Sequence, residues 1–310
     1  MTLTVEPHVE HSPDLGEGLV LNPALKVIRA SNDEVIVRHG SRGRSTQRFT
    51  DPEANGVLGN LVELFHEPYA VESLSTEHEQ ILARELAENG VLVPQSQLRY
   101  AFLVAGLGRP VEEVTGTYAI IGEGVLAQEV ARSLQDALPS VQFTSLSSVS
   151  EISDDPDFII AVADTPNLGF FFDVNEYALT TKTRWHAAYV DGPEAIVGPL
   201  YDPEHTGCFH DYDVLDESGR SLRVDHMYSK FQPEEGQAPE HKMPLFLAQL
   251  VAGYLTLSVV QDALREGSYL EGEFIRLDTD RLEVIKQQLS RIARCPACME
   301  NRPDLRHPFV

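Results

Sequence analysis

A strand that ends in a glycine pair and opens straight into a helix constrains this chain more than any other segment. Thr117-Tyr118-Ala119-Ile120-Ile121 is short and apolar, and it runs into Gly122-Glu123-Gly124-Val125-Leu126-Ala127 before helical spacing takes over from Gln128 to about Ala137. Such a turn belongs to a sheet with parallel pairing, because a crossover helix carries the chain back to the end at which the next strand starts. Phe158–Ala163 is a second strand, apolar at every position as a strand covered on both faces is, and it stops at Asp164. A helical stretch with Val174, Tyr177 and Ala178 inward and a further strand, Trp185–Val190, follow. The predicted fold class is α/β, with a Rossmann-like domain over residues 98–310.

A different pattern precedes it, over residues 22–97. Leu25–Arg29 and Val35–Val37 are joined by Ser31-Asn32-Asp33, a hairpin signal, and a Gly/Arg turn from Gly40 to Arg44 leads to a third strand, Thr46–Thr50. Val57, Leu58, Leu61, Val62, Leu64 and Phe65 then form one helical stripe. A second helix, Glu79–Glu88, is expected to turn Ile81, Leu82, Ala83 and Leu86 inward; Asn89-Gly90 stops it and Val91–Val93 returns as a short strand. Three strands followed by helices predict a winged-helix-like (β3α3) module. Residues 1–21 are expected to be a flexible N-terminus; Met1–Gly18 is acidic and has no apolar core of a signal peptide.

The chain has 310 residues, with 24 Lys and Arg against 48 Asp and Glu, a formal charge of −24. Phosphate backbones and anionic membranes need clustered cations, so neither nucleic acid nor a membrane surface is an expected partner. The longest apolar stretch, Pro244–Val260, is shorter than the roughly 20 residues a bilayer demands and reads as a buried helix. Three cysteines make no disulfide scaffold and point to a reducing, cytoplasmic location.

Gly122-x-Gly124-x-x-Ala127 has the context of a dinucleotide-binding turn: one glycine for the tight turn, one for phosphate approach, a small third residue for helix packing. The acid expected about 20 residues later is missing, since Val141–Ser148 contains none and the first is Glu151; no GxxxxGK[ST] loop occurs either. Cys295-Pro296-Ala297-Cys298 is the sharpest local motif, and the third cysteine lies in Gly207-Cys208-Phe209-His210-Asp211. Two thiolates at this spacing clasp tetrahedral zinc when a distant segment supplies another ligand pair, and Cys208 with His210 or Asp211 offers that pair. A degenerate site and a redox pair stand as the other readings. The 11 histidines are scattered and neither HExxH nor GxSxG occurs; His205, His210 and His241 read as surface residues and His186 as a core residue.

Together these residues resemble one family. Gly122–Ala127 is similar to the glycine turn of ThiF/ubiquitin-activating-enzyme-like proteins, Ile160–Asp164 and Asn175-Glu176-Tyr177-Ala178 to their Asp-ended strand and the helix after it. Val197-Gly198-Pro199-Leu200 through Cys208 resembles the run that carries their first zinc cysteines, and the C-terminal CPxC resembles the second pair. This form resembles the ThiF-like partner protein of thiazole/oxazole-modified peptide biosynthesis. The resemblance implies a non-catalytic protein that binds the leader of a ribosomally made precursor and presents it to a YcaO cyclodehydratase, working as a homodimer or a hetero-complex. It implies structural zinc on Cys208, Cys295, Cys298 and either His210 or Asp211. Adenylating members carry an acid after the second strand and an Asn-Arg-Gln segment, both absent here, so ATP at Gly122, Gly124 and Asp164 is not expected, with a peptide-adenylating enzyme as the alternative.

Residues 22–97 resemble the PqqD-like recognition element, in which the leader adds as a strand beside the third β-strand and packs on the third helix. By position, that implies Thr46, Gln47, Arg48, Phe49 and Thr50 on the strand and Ile81, Arg84 and Glu85 on the helix. Residues 22–50 hold six basic side chains (Lys26, Arg29, Arg38, Arg42, Arg44, Arg48) against Asp33 and Glu34, a local +4. An acidic leader would be steered to that island.

Overall fold

The structure is a computed structural model. It describes residues 18–39, 46–100, 111–220, 224, 243–265, 267–293 and 295–299. The Gly40–Arg44 turn, with Arg42 and Arg44, and His241 lie outside the described residues. The chain divides into two compact units that meet between Val111 and Glu112, later than the junction at 97/98 that the pattern suggests.

In the first unit, β2 (Leu25–Arg29), β3 (Glu34–His39) and β4 (Thr46–Thr50) form an antiparallel sheet in that order, followed by α1 (Leu58–Leu64) and α2 (Glu77–Glu88) with a single 3-10 turn, Val71–Ser73, between them. Val35 and Val37 of the sheet meet Leu58, Leu61, Phe65, Leu82 and Leu86 in the core. Thr76 starts α2 with a reciprocal cap: its hydroxyl accepts from the Glu79 N–H at 3.2 Å, and the Glu79 carboxylate accepts from the Thr76 N–H at 2.9 Å. Two expectations are corrected. Leu19–Leu21, assigned to the flexible terminus, is strand β1, paired antiparallel with β5 (Leu92–Pro94), and Leu19 is fully buried. Ile81, expected in the core, is 52% exposed, because the stripe of α2 centres on Leu82, Ala83, Leu86 and Ala87 and leaves Ile81 beyond its edge.

The second unit is built on a seven-stranded sheet, β12-β11-β10-β9-β8-β6-β7. Its elements are β6 (Gly116–Ile121), α3 (Val125–Ala137), β7 (Val141–Leu146), β8 (Phe158–Ala163), α4 (Leu168–Thr181), β9 (Arg184–Asp191), β10 (Glu194–Tyr201), α5 (Phe209–Gly219), α6 (Leu245–Arg265), β11 (Glu273–Asp278) and β12 (Glu283–Gln288). Strands β7, β6, β8 and β9 are parallel, and β10 to β12 continue antiparallel. The chain leaves β6 towards β7 and returns on the other side as β8, so a crevice opens at the carboxyl ends of β6 and β8, where sheets of this kind bind ligands. Strand β10 was not evident from sequence: Gly198-Pro199 interrupts it, and its register with β9 shifts there.

Helix α6 buries Ala248, Val251, Ala252, Leu255 and Val259 and packs against α3, while Leu245, Phe246 and Leu250 are exposed. By length and composition it is the one helix among the described residues that could cross a bilayer. Its Asp262 accepts two bonds from the Arg184 guanidinium, at 2.8 and 3.0 Å, which ties the helix to β9.

His186 on β9 is fully buried, with Nε2 2.9 Å from the Ser258 hydroxyl, and burial pushes its pKa down to about 3. The unfolded chain takes up a proton near pH 6.5 that the folded chain refuses, so the contribution of His186 to stability is constant above that pH and falls below it. The expected slope approaches about 1.4 kcal/mol per pH unit. Urea unfolding at pH 7.5, 6.5 and 5.5 reads it; a midpoint that does not move over this range overturns the assignment.

Candidate functional site

Asp164 follows β8 directly and sits on the first turn of α3. Its Oδ2 accepts from the Val125 N–H and its Oδ1 from the Leu126 N–H, both at 2.9 Å. These free N–H groups and the positive end of the helix dipole are where a phosphate would bind. Gly124 (φ 100°) is required there because a Cβ would collide with the Asp164 carboxylate, and Gly122 (φ 140°) because a Cβ would strike the Val162 carbonyl. Both glycines therefore serve strand and carboxylate packing within the chain itself. A groove of 480 Å³ lies alongside, lined by Gly122, Gly124, Gln128, Arg132 and Ser145 among others. The carboxylate that a ribose would need is absent from the end of β7; Glu151, the first acid after it, accepts from the Ser147 N–H at 3.0 Å and closes its own turn.

The cysteines converge as their spacing implies. Ligand atoms of Cys208, Asp211, Cys295 and Cys298 all lie within 4.8 Å of one another. The Cys208 and Cys295 sulfurs are 3.5 Å apart, and the Cys298 sulfur is 3.5 Å from Asp211 Oδ2. Zinc–sulfur bonds of about 2.3 Å set the sulfurs of a tetrahedral site about 3.8 Å apart, so this donor set fits a zinc-sized ion with little movement. Asp211 is completely buried; its carboxylate accepts from the Cys208 N–H at 3.0 Å and the Ile292 N–H at 3.2 Å, bridging the start of α5 to the C-terminal segment. Burial is the main cause of a thiol pKa pushed up to about 12 at Cys298 and higher still at Cys208. A bound cation reverses that balance, because the thiolate is the ligand. His210 is not part of the cluster, although imidazole is the better zinc ligand. One residue earlier on α5, it packs against Phe172 with ring centroids 4.5 Å apart and lines a 650 Å³ groove with Glu204, Lys182 and Cys298. The helix phase turns position 211 inward and position 210 to that groove.

The strand and helix residues implied for peptide capture lie in the first unit. Main-chain bonds from Asp51 N to Asp33 O and from Ala30 N to Glu34 O, both 2.9 Å, set the alternation across the sheet. Residues 47 and 49 direct their N–H and C=O groups at β3, so those of Thr46, Arg48 and Thr50 face outward. Among the described residues no strand lies beyond β4. Gln47 and Phe49 pair with Val37 and Val35 and share their helix-side face. Arg48 points to the other face, 2.7 Å from the Glu34 carboxylate. On α2, Ile81, Arg84 and Glu85 are exposed. His78 holds the helix to the end of β4 through Asp51 at 2.9 Å, a contact that nothing in the sequence signals.

The fold is shared with solved heterocyclases and with MccB of E. coli. A heterocyclase solved with substrate and cofactor superposes with a TM-score of 0.70 at 16% identity, over 91% of this chain and 39% of its own. The heterocyclase TruD gives 0.64 at 18%, over 91% and 43%. MccB of E. coli, solved with AMPCPP and selenomethionine MccA, gives 0.55 at 15%, over 91% and 99%. The chain thus spans about two fifths of the heterocyclases and the whole of MccB, and it shares their mixed α/β, ThiF-type architecture. No protein-family model and no curated protein matches it.

Proposed function

We propose that this protein captures the leader of a ribosomally made precursor peptide and presents it to a separate YcaO-type cyclodehydratase for azoline formation, without catalysing a step itself. The observation that carries this reading is Asp164: the chain's own carboxylate occupies the α3 N-terminus that a nucleotide phosphate would need. The unpaired outer edge of β4 beside the exposed face of α2 supports β-augmentation by an extended peptide, with Thr46, Arg48 and Thr50 supplying main-chain bonds. Gln47, Phe49, Ile81, Arg84 and Glu85 would meet alternate side chains of that peptide. Lys26, Arg38 and Arg48 give the edge a cationic surround that suits an acidic leader. Structural zinc on Cys208, Asp211, Cys295 and Cys298 holds the second unit together in this reading, and His210 is not a ligand.

A second reading, a peptide-adenylating enzyme, draws on the groove beside Gly122 and Gly124 and on the architecture shared with MccB. The two are separated by fluorescence polarisation with the labelled leader of the neighbouring precursor gene, run beside ATP–pyrophosphate exchange. The expected result is saturable leader binding and no exchange. Absence of binding at high micromolar leader sinks the capture reading, and exchange above background establishes the second.

A further inference from the structure

All three thiols of the chain meet in one cluster, so any disulfide formed within the molecule must join two of its candidate metal ligands. They are not equally open to solvent. Cys208 and Cys295 are each 4% exposed, whereas Cys298 is half-buried and lines the 650 Å³ groove beside Lys182 and His210. Pro296 and Ala297 line the same groove, so the loop that carries Cys298 is part of its wall. A small solute in the groove therefore reaches one thiol of the three.

A second thiol is at hand to resolve whatever forms there. Pro296, Ala297 and Cys298 form a turn, which sets the Cα atoms of residues 295 and 298 within about 7 Å, the span a disulfide can bridge. Cys208 is placed less well for this. It opens α5, and its N–H is held by the Asp211 carboxylate at 3.0 Å, so drawing it towards Cys298 moves a capped helix. Closing the turn moves neither.

We propose that Cys298 is an oxidation site: a peroxide entering the groove joins Cys298 to Cys295 as a disulfide and so empties the metal cluster. This rests on the zinc reading above, because a bound zinc holds these thiols as thiolates, the form that attacks an oxidant. The Cys298 thiolate attacks one oxygen of hydrogen peroxide. An S–O bond forms, the O–O bond breaks, and the hydroxide that leaves takes a proton from solvent. The Cys295 thiolate then attacks the Cys298 sulfur. An S–S bond forms, the S–O bond breaks, and a second hydroxide leaves as water. The two thiolates lose two electrons and the peroxide gains them. Cys208 and Asp211 alone are left as donors, too few for a structural zinc site, which takes four. A dithiol reductant reverses the step and restores the donor set.

The test uses the full chain as purified, with its zinc content measured first. One equivalent of hydrogen peroxide is expected to release one zinc per chain to a colorimetric chelator, in step with the loss of two thiols. Peptide mapping is expected to find the disulfide between 295 and 298, and dimedone added with the peroxide is expected to label Cys298 alone. Cys298→Asp replaces the open thiol with the ligand type already present at 211, and is expected to slow zinc release about tenfold or more. Should that variant hold no zinc, the dimedone and disulfide maps of the wild-type chain decide. A chain that carries no zinc as purified sinks the zinc reading and this proposal with it. Zinc that stays bound under excess peroxide leaves that reading standing and overturns the oxidation site alone. So does a dimedone label on Cys208 or Cys295 ahead of Cys298, a disulfide that uses Cys208, or release from zinc-loaded Cys298→Asp at the wild-type rate.

Discussion

Arg48→Pro is expected to weaken leader binding by about tenfold or more, the worth of one main-chain hydrogen bond together with a ring placed where the peptide must approach. The effect depends on direction alone. The Arg48 N–H faces outward and takes no part in the β3–β4 ladder, so proline is tolerated at this edge position. The neighbouring Phe49→Pro removes an N–H that bonds β3 and is expected to lower the melting temperature of the first unit instead. Arg48→Ala separates backbone from side chain: it keeps the N–H and loses only the guanidinium, which Glu34 already holds at 2.7 Å. Fluorescence polarisation on the three variants, with melting curves alongside, checks the ordering. Equal losses for Arg48→Ala and Arg48→Pro would show that the leader reads the side chain, and wild-type affinity in Arg48→Pro would remove β4 from the site.

Asp211 carries the second large effect. Asp211→Ala leaves the buried N–H of Cys208 and the part-buried N–H of Ile292 without an acceptor, a cost of about 1–3 kcal/mol for the first and less for the second, about 3 kcal/mol together. At about 2–4 °C per kcal/mol for a unit of this size, the melting temperature is expected to fall by roughly 10 °C. Asp211→Asn keeps an oxygen acceptor but loses the anionic ligand, so it is expected to lose zinc at a smaller cost in melting temperature. Metal content by mass spectrometry of the purified protein is expected to be one zinc per chain, lost in Asp211→Asn and Cys295→Ser and retained in His210→Ala. Retention in Asp211→Asn together with loss in His210→Ala would reverse the ligand assignment.

The parts of the fold that sequence makes legible are those governed by local periodicity. The glycine turn, the uniformly apolar β8 and the stripes of α1 and α2 each declare their burial within a few residues. Strands β10 to β12 do not. Gly198-Pro199 breaks the first, and the last has no alternation to read because neither of its faces is buried. At the cysteine cluster, spacing identified the segments but left Asp211, at the expected ligand position, and His210, the better zinc ligand chemically, both open. What decided the matter was the phase of α5, set by Phe209 and Tyr212 entering the aromatic core of the second unit. The role of Asp164 was equally hidden: the same residue type at the same strand end serves a ligand or the chain itself, and only its distance from the α3 N–H groups distinguishes them.

The bridge between Cys208 and Cys295 spans 87 residues of chain, and within that span lie α5, α6, β11 and β12. A cross-link at that separation removes about 4–5 kcal/mol of freedom from the unfolded chain. Zinc in the proposed cluster would close this span, with β11 and β12 in it, into one ring that ends seven residues beyond Gln288, the last residue of β12. Strand β12 would thereby be leashed at its far end by the metal. If the cluster holds zinc as proposed, fraying of the sheet's border and loss of the metal would be a single event.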